Sequence, residues 1–265
     1  MKKFLLVVMI IAILFTFVYP YEVSALSGSE SLSFAAQRLK KDQIVLANLK
    51  LPKEVQYNLT KLDDGTVAID FDFPENYSQK LIVDVITRVQ VAIAKDKSND
   101  VQLDTNLSPD TVIGGTTTYY FSGSQYFTGR YGEQIYNSTY GQLSSTRFPA
   151  WYYIVITGTS AGVVSNTSSH YSGLKVDTTV HLWGLVVGGD VSSSGGFSLS
   201  ISPGVVAEFH REWSRQGPYV ILDWGQLIAY AVNATKLGVD NTVWVDNSGF
   251  VDPYHIYVPR WLYEY

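Results

Sequence analysis

From Thr116 to the C terminus the sequence breaks into short β-branched or aromatic runs: Thr116–Phe121, Trp151–Thr157, Val176–Val187, Phe197–Ile201, Tyr219–Leu222 and Thr242–Val245. Gly-, Ser- and Asn-rich stretches separate them at Ser122–Gly132, Gly158–Gly173, Gly188–Gly196 and Asp246–Gly249, which read as turns. Many short strands joined in this way predict an antiparallel β sandwich or barrel. No fixed-period repeat is evident.

A different pattern precedes that region. A loose helical stripe of Leu32, Ala35, Ala36, Leu39, Ile44, Leu46 and Leu49 occupies residues 29–50. A hairpin follows, in which Val55, Tyr57 and Leu59 alternate with polar residues, Asp63-Asp64-Gly65 supplies the turn, and Val67, Ile69, Phe71 and Phe73 alternate back. After Pro74, Asn76 is positioned to cap a helix whose apolar stripe is Leu81, Ile82, Val85, Ile86, Val89, Ala92 and Ile93. The fold class is therefore mainly β, an antiparallel β sandwich or barrel preceded by a small α+β unit. The boundaries are a signal peptide over 1–25, an α+β unit over 26–97, a connection over 98–115 and a β-rich domain over 116–265.

The N terminus has the layout of an export signal. Met1-Lys2-Lys3 carries charge, Phe4–Val18 is an apolar run of fifteen residues interrupted only by Thr16, and Ser24-Ala25 suits cleavage before Leu26. A membrane span needs ~20 apolar residues, so cleavage is expected rather than anchoring, and the chain is expected to be secreted or held at the cell surface.

Composition narrows the partners. The net charge is −5 without a basic cluster, which argues against nucleic acid, since that partner demands a positive field. Charged residues are 16% of the chain, against about 25% in ordinary soluble proteins. There is no cysteine, which removes disulfides, thiolate zinc sites and cysteine nucleophiles. Six of the ten asparagines, Asn58, Asn76, Asn106, Asn137, Asn166 and Asn233, begin an Asn-x-Ser/Thr triplet, where the Ser and Thr content predicts roughly two by chance. N-glycosylation is the expectation, and acceptors without cysteine point to an archaeal cell surface.

Three patterns are candidates for chemistry. Gly158-Thr159-Ser160-Ala161-Gly162 fits Gly-x-Ser-x-Gly after an apolar strand, which would make Ser160 a hydrolase nucleophile. The β-branched segment after it contradicts the helix that such an elbow requires. Glu208, His210 and Glu212 would share one face of a strand, as a metal or general-base cluster or simply as exposed charge pairs. The carboxylates Asp223, Asp240, Asp246, Asp252 and Glu264 have no spacing that selects a catalytic pair.

Two features point to surfaces. Val176–Val206 reads as a hairpin around Asp190–Gly196 with one apolar and one Ser/Thr face, the form of a membrane-inserting hairpin or of a half-buried one. The C terminus gathers Tyr254, Tyr257, Trp261, Tyr263 and Tyr265, rings suited to packing, to a lipid interface or to a sugar. The leading expectation is a non-enzymatic, glycosylated protein acting at cell surfaces, in the manner of a membrane-active antimicrobial toxin. The alternatives are a surface-structural or glycan-binding protein and an extracellular hydrolase using Ser160. The expected partner is a lipid membrane or a cell-surface glycan, with no cofactor and no metal.

Overall fold

The structure is a computed structural model, and it describes residues 39–62, 66–98, 115–148, 152–191, 197–200 and 205–262. Residues 1–25, expected to be a signal peptide, together with Asn106, most of the expected 98–115 connection, Tyr263 and Tyr265, lie outside them. Residues 39–48 are helical (α1). They lead to the predicted hairpin, β1 (Gln56–Lys61) and β2 (Val67–Asp72), antiparallel from Gln56↔Asp72 to Lys61↔Val67. Then comes α2 (Gln79–Ser98). Its cap is Ser78 rather than Asn76: the Leu81 N–H donates to Ser78 Oγ at 3.4 Å, because the helix begins two residues later than the sequence suggested.

The rest is strand: β3 (Thr116–Thr128), β4 (Gln134–Arg147), β5 (Tyr152–Ser165), β6 (Tyr171–Val191), β7 (Phe197–Ser200), β8 (Val205–Arg215), β9 (Tyr219–Asn247) and β10 (Phe250–Trp261). The mainly β expectation holds. All ten strands belong to one antiparallel network in the order β3-β4-β5-β9-β6-β8-β7, with β2 and β10 also pairing with β9.

β9, 29 residues long, turns this network into two layers. Its first half pairs with β5 on one edge and with β2 on the other, from Val67↔Asp223 to Asp70↔Val220. Its second half pairs with β10 on one edge and β6 on the other. Thus β1 and β2 extend the same sheet as the later strands, and the α+β segment shares it rather than standing apart. The inner faces bury each other: Phe121, Leu143, Ile154 and Ile156 of the first layer meet Val180, Leu182, Leu237, Val239, Ile256 and Val258 of the second. On the outside of the first layer, Ile86, Val89 and Ile93 of α2 pack against Tyr136, Ala161 and Val163.

A β-bulge lets one strand serve both layers. β9 pairs as Thr159↔Asp223 and then as Gly158↔Gly225, so Trp224 is one extra residue. A single added residue exchanges the two faces of a strand. Val220 and Leu222 face the interlayer core before the bulge, and Leu227, Ala229 and Ala231 face it afterwards. Gly225 has φ 76°, a conformation that costs glycine little, and its N–H donates to Asp223 Oδ1 at 3.1 Å.

Two readings of the sequence are corrected here. Ser122–Thr128 and Gly158–Ser165, expected in turns, lie inside β3 and β5. The Val176–Val206 hairpin does not form between its predicted arms, since β6 pairs with β8 and β9, and β7 pairs with the far edge of β8. The apolar face of β6, with Val176, Val180 and Leu182, is buried in the interlayer core rather than free for lipid. Long strands with both edges occupied are more stable here than a two-stranded hairpin exposing an apolar face.

Candidate functional site

Alternation along β6 decides what the outer face of the second layer carries. Val176, Thr178, Val180 and Leu182 point inward and are buried, so Lys175, Asp177, Thr179, His181 and Trp183 point outward. Register then lines up their neighbours across four strands. Asp177 faces Glu212 on β8 and Thr242 on β9; Thr179 faces His210 and Asp240; Trp183 faces Lys236. On β10, His255 stands beside Thr242, Tyr257 beside Asp240 and Trp261 beside Lys236. Three of the four histidines therefore meet Lys175, Asp177, Glu212, Lys236 and Asp240 on one face of a chain poor in charge.

Asp240 is the centre of one cluster. Its two oxygens are shared by His181 Nε2 at 2.9 Å and His255 Nε2 at 2.6 Å. A second cluster lies across β6 and β8. His210 Nδ1 is 3.2 Å from Asp177, and Lys175 Nζ is 3.0 Å from Glu212 and 3.6 Å from Asp177. Desolvation would lower the Lys175 ammonium, but the Glu212 hydrogen bond and the nearby carboxylates lift it above 10.5. The same hydrogen bond holds Glu212 below its ordinary value.

Ligand atoms of Asp177, His210 and Glu212 lie within 4.8 Å of one another, close enough to surround an ion. Yet His210 directs Nδ1 to Asp177 and Nε2, at 3.7 Å, to Glu212, so the two carboxylates face opposite sides of its ring. The Lys175 ammonium already fills the cation position between the carboxylates. This set is built as an ion-pair network. The predicted strand face with His210 and Glu212 does exist, but its carboxylate partner is Asp177, contributed by another strand.

Beside the Asp240 cluster stands an aromatic cluster around a cation. Lys236 Nζ lies 4.6 Å from the ring centroid of Trp183, 5.0 Å from Tyr257 and 5.3 Å from Trp261. Gly238 provides the space: a Cβ there would lie 2.6 Å from the Trp183 ring and 2.7 Å from the Tyr257 hydroxyl. Trp261 remains 54% exposed and Tyr257 39%, so both rings offer open surface next to a charge. Lys175 over Trp244 at 5.4 Å repeats the motif at the far end of the face.

The remaining expected residues divide by location. Of the C-terminal aromatics, Tyr257 and Trp261 join this face, whereas Tyr254 is half-buried against Phe127, with ring centroids 5.5 Å apart. Asn58, Asn76, Asn166 and Asn233 are exposed. Asn137 is fully buried: its Nδ2 donates to the carbonyls of Asn241 at 2.9 Å and Tyr254 at 2.7 Å, and its Oδ1 accepts from Asn241 Nδ2 at 2.6 Å. That amide has no room for a glycan in the folded chain, because β4 is covered on both faces.

Ser160 does not sit on an elbow. It lies in the middle of β5, fully buried, where its Oγ accepts from Thr178 Oγ1 at 2.8 Å and Trp224 Nε1 at 3.2 Å. A hydroxyl and an indole surround it where a hydrolase would place an imidazole and open space.

No known protein family matches the chain, and no curated protein matches it. Among solved structures, the KRT10-binding region domain of the pneumococcal serine-rich repeat protein PsrP aligns with 54% of this chain and 98% of its own, at 9% identity and a TM-score of 0.28. A structure containing manganese lipoxygenase of Gaeumannomyces graminis and part of zonadhesin of Komagataella pastoris aligns with 78% of this chain and 84% of its own, at 8% identity and a TM-score of 0.21. Likeness this slight carries no inference about what the chain does.

Proposed function

We propose that this chain is an exported, glycosylated, non-enzymatic recognition protein that binds surface glycans through the outer face of β6, β8, β9 and β10. The observation that carries the reading is the Lys236 cluster: exposed Trp261 and Tyr257 rings and Trp183 meet one ammonium, beside a carboxylate and two imidazoles. The C–H face of a pyranose ring stacks on an aromatic plane, and its hydroxyls bond to carboxylate and imidazole edges. Lys236 adds a positive charge at the same spot, so acidic sugars gain over neutral ones. The signal segment and the four exposed acceptor triplets support an extracytoplasmic setting. The aromatic β10 also keeps a membrane-active role in view, although the amphipathic hairpin that favoured it is absorbed into the sheet.

An array of neutral and acidic oligosaccharides, read with the purified protein, tests the proposal. Binding that falls at least about tenfold in Trp261→Ala and Trp183→Ala, equivalent to roughly 1.4 kcal/mol, is the expected result. Binding to no sugar, or undiminished binding by both variants, rejects it. Dye release from anionic lipid vesicles in place of sugar binding would put the membrane-active role first.

A further inference from the structure

Among the described residues, four strands pair with only one neighbour: β1, β3, β7 and β10. An open strand edge offers a row of N–H and C=O groups to any other strand, and folded proteins guard such edges with charge, proline, brevity or bulges. Three of these edges are guarded. β1 has six residues, ends in Lys61 and carries the exposed acceptor Asn58. β7 has four residues. β10 contains Pro253 and Pro259 together with Asp252 and Arg260.

β3 has none of these devices. Its 13 residues, Thr-Thr-Thr-Tyr-Tyr-Phe-Ser-Gly-Ser-Gln-Tyr-Phe-Thr, contain no charge and no proline. It pairs with β4 over its whole length, from Thr116↔Thr146 to Thr128↔Gln134, without a register shift. Its even-numbered residues form an exposed outer row of Thr, Tyr and Ser, in which Tyr120 is 62% and Tyr126 57% exposed. Across the β3–β4 pair that row already makes hydroxyl contacts, Thr116 to Thr146 at 2.8 Å and Thr118 to Ser144 at 3.2 Å.

We propose that β3 is a self-association edge, on which a second copy of this chain adds its own β3 antiparallel about a two-fold axis near Ser122. A copy of itself is the partner this edge suits best. The chain is acidic overall, so most approaches of two copies are repulsive, whereas two uncharged strands meet without like charges. An axis at Ser122 sets Tyr120 opposite Ser124 and Tyr126 opposite Thr118, so each tyrosine lies beside a small hydroxyl residue. The isologous contact closes after two copies and joins their first layers into one continuous sheet. It lies on the layer opposite the aromatic face and does not depend on the glycan reading.

Sedimentation of the protein lacking residues 1–25, from about 1 to 100 µM, tests this by mass action. The unit that contains every described strand is Ser31–Tyr265, so the truncation leaves it whole. The wild type is expected to pass from monomer to dimer, with slower exchange of β3 amides as concentration rises. S122K/S124K places like charges at the axis and is expected to raise the dissociation constant at least about tenfold, with an unchanged circular dichroism spectrum. A wild type that stays monomeric throughout, including one whose β3 amides are protected at every concentration by its own chain, overturns the proposal. So does a folded S122K/S124K variant that dimerises as the wild type does.

Discussion

Replacing Asn137 by Ala is the most direct test of how the two layers are held together. The substitution removes three hydrogen bonds: two donated to the Asn241 and Tyr254 carbonyls and one accepted from Asn241 Nδ2. At a net contribution of about 1 kcal/mol each, these give about 3 kcal/mol. Some further loss comes from polar groups left unpaired between the layers, limited because Asn241 Nδ2 keeps the Ser138 carbonyl at 3.3 Å. A total of about 3–5 kcal/mol follows, a large fraction of the roughly 5–15 kcal/mol that stabilises most domains. For a chain of this size that lowers the melting temperature by roughly 10 °C. Calorimetry on Asn137→Ala, with the exposed Asn233→Ala as a control expected within about 0.5 kcal/mol of wild type, measures it. A variant melting within about 2 °C of wild type would refute the reasoning. Glycopeptide mass spectrometry gives an independent check, since a glycan on Asn137 in folded protein is incompatible with its enclosure.

Ser160→Ala leaves Trp224 Nε1 without its acceptor and is expected to lower stability by about 1–2 kcal/mol in urea unfolding, with no loss of any esterase activity measured alongside. Asp70 supplies a pH test. Burial pushes its carboxyl above 3.8 although Arg215 Nε, 3.0 Å away, pulls it down, and neither oxygen finds a well-aligned hydrogen bond. The folded chain therefore holds this proton more tightly than the unfolded chain, and its contribution to stability falls as pH rises from 3.8 through the raised folded value. Asp70→Asn is accordingly expected to gain stability relative to wild type between about pH 3 and pH 6, and a difference in urea midpoints that stays flat or falls would contradict the assignment.

α2 was legible because it has one dry and one wet face, which helical spacing reports directly, and the hairpin because its apolar residues alternate on either side of the Asp63-Asp64-Gly65 turn signal, although β2 is buried on both faces from Val67 to Phe71. β4 escaped notice for the opposite reason. Asn137, Ser138, Thr139, Gln142 and Ser144 are all buried, since α2 covers one side of the strand and the second layer the other. Polar residues paired across layers leave no hydrophobic pattern to read. Ser138, for instance, donates to Gln90 Oε1 of α2 at 2.8 Å.

Glycine misled in a similar way. Gly158 looks like a turn residue, but it lies inside β5, where glycine is needed because a Cβ would come within 2.5 Å of the Trp224 ring. The aromatic and imidazole face was legible only in fragments. Trp183 meets Lys236, and Asp177 meets His210, solely through register among β6, β8 and β9. Neither composition nor local spacing records it.

The shared strand β9 also sets the order in which the protein can be completed. β2, β5 and β6 each pair with it, and among the described residues β10 pairs with no other strand. During synthesis β6, β7 and β8 can pair with one another, but the first layer keeps an open seam and the two layers stay unjoined until the residues from Tyr219 onward have emerged. Sheets dominated by such distant pairings form slowly, in milliseconds to seconds. Because one strand is common to both layers, neither can lose its pairing with β9 without loosening the other.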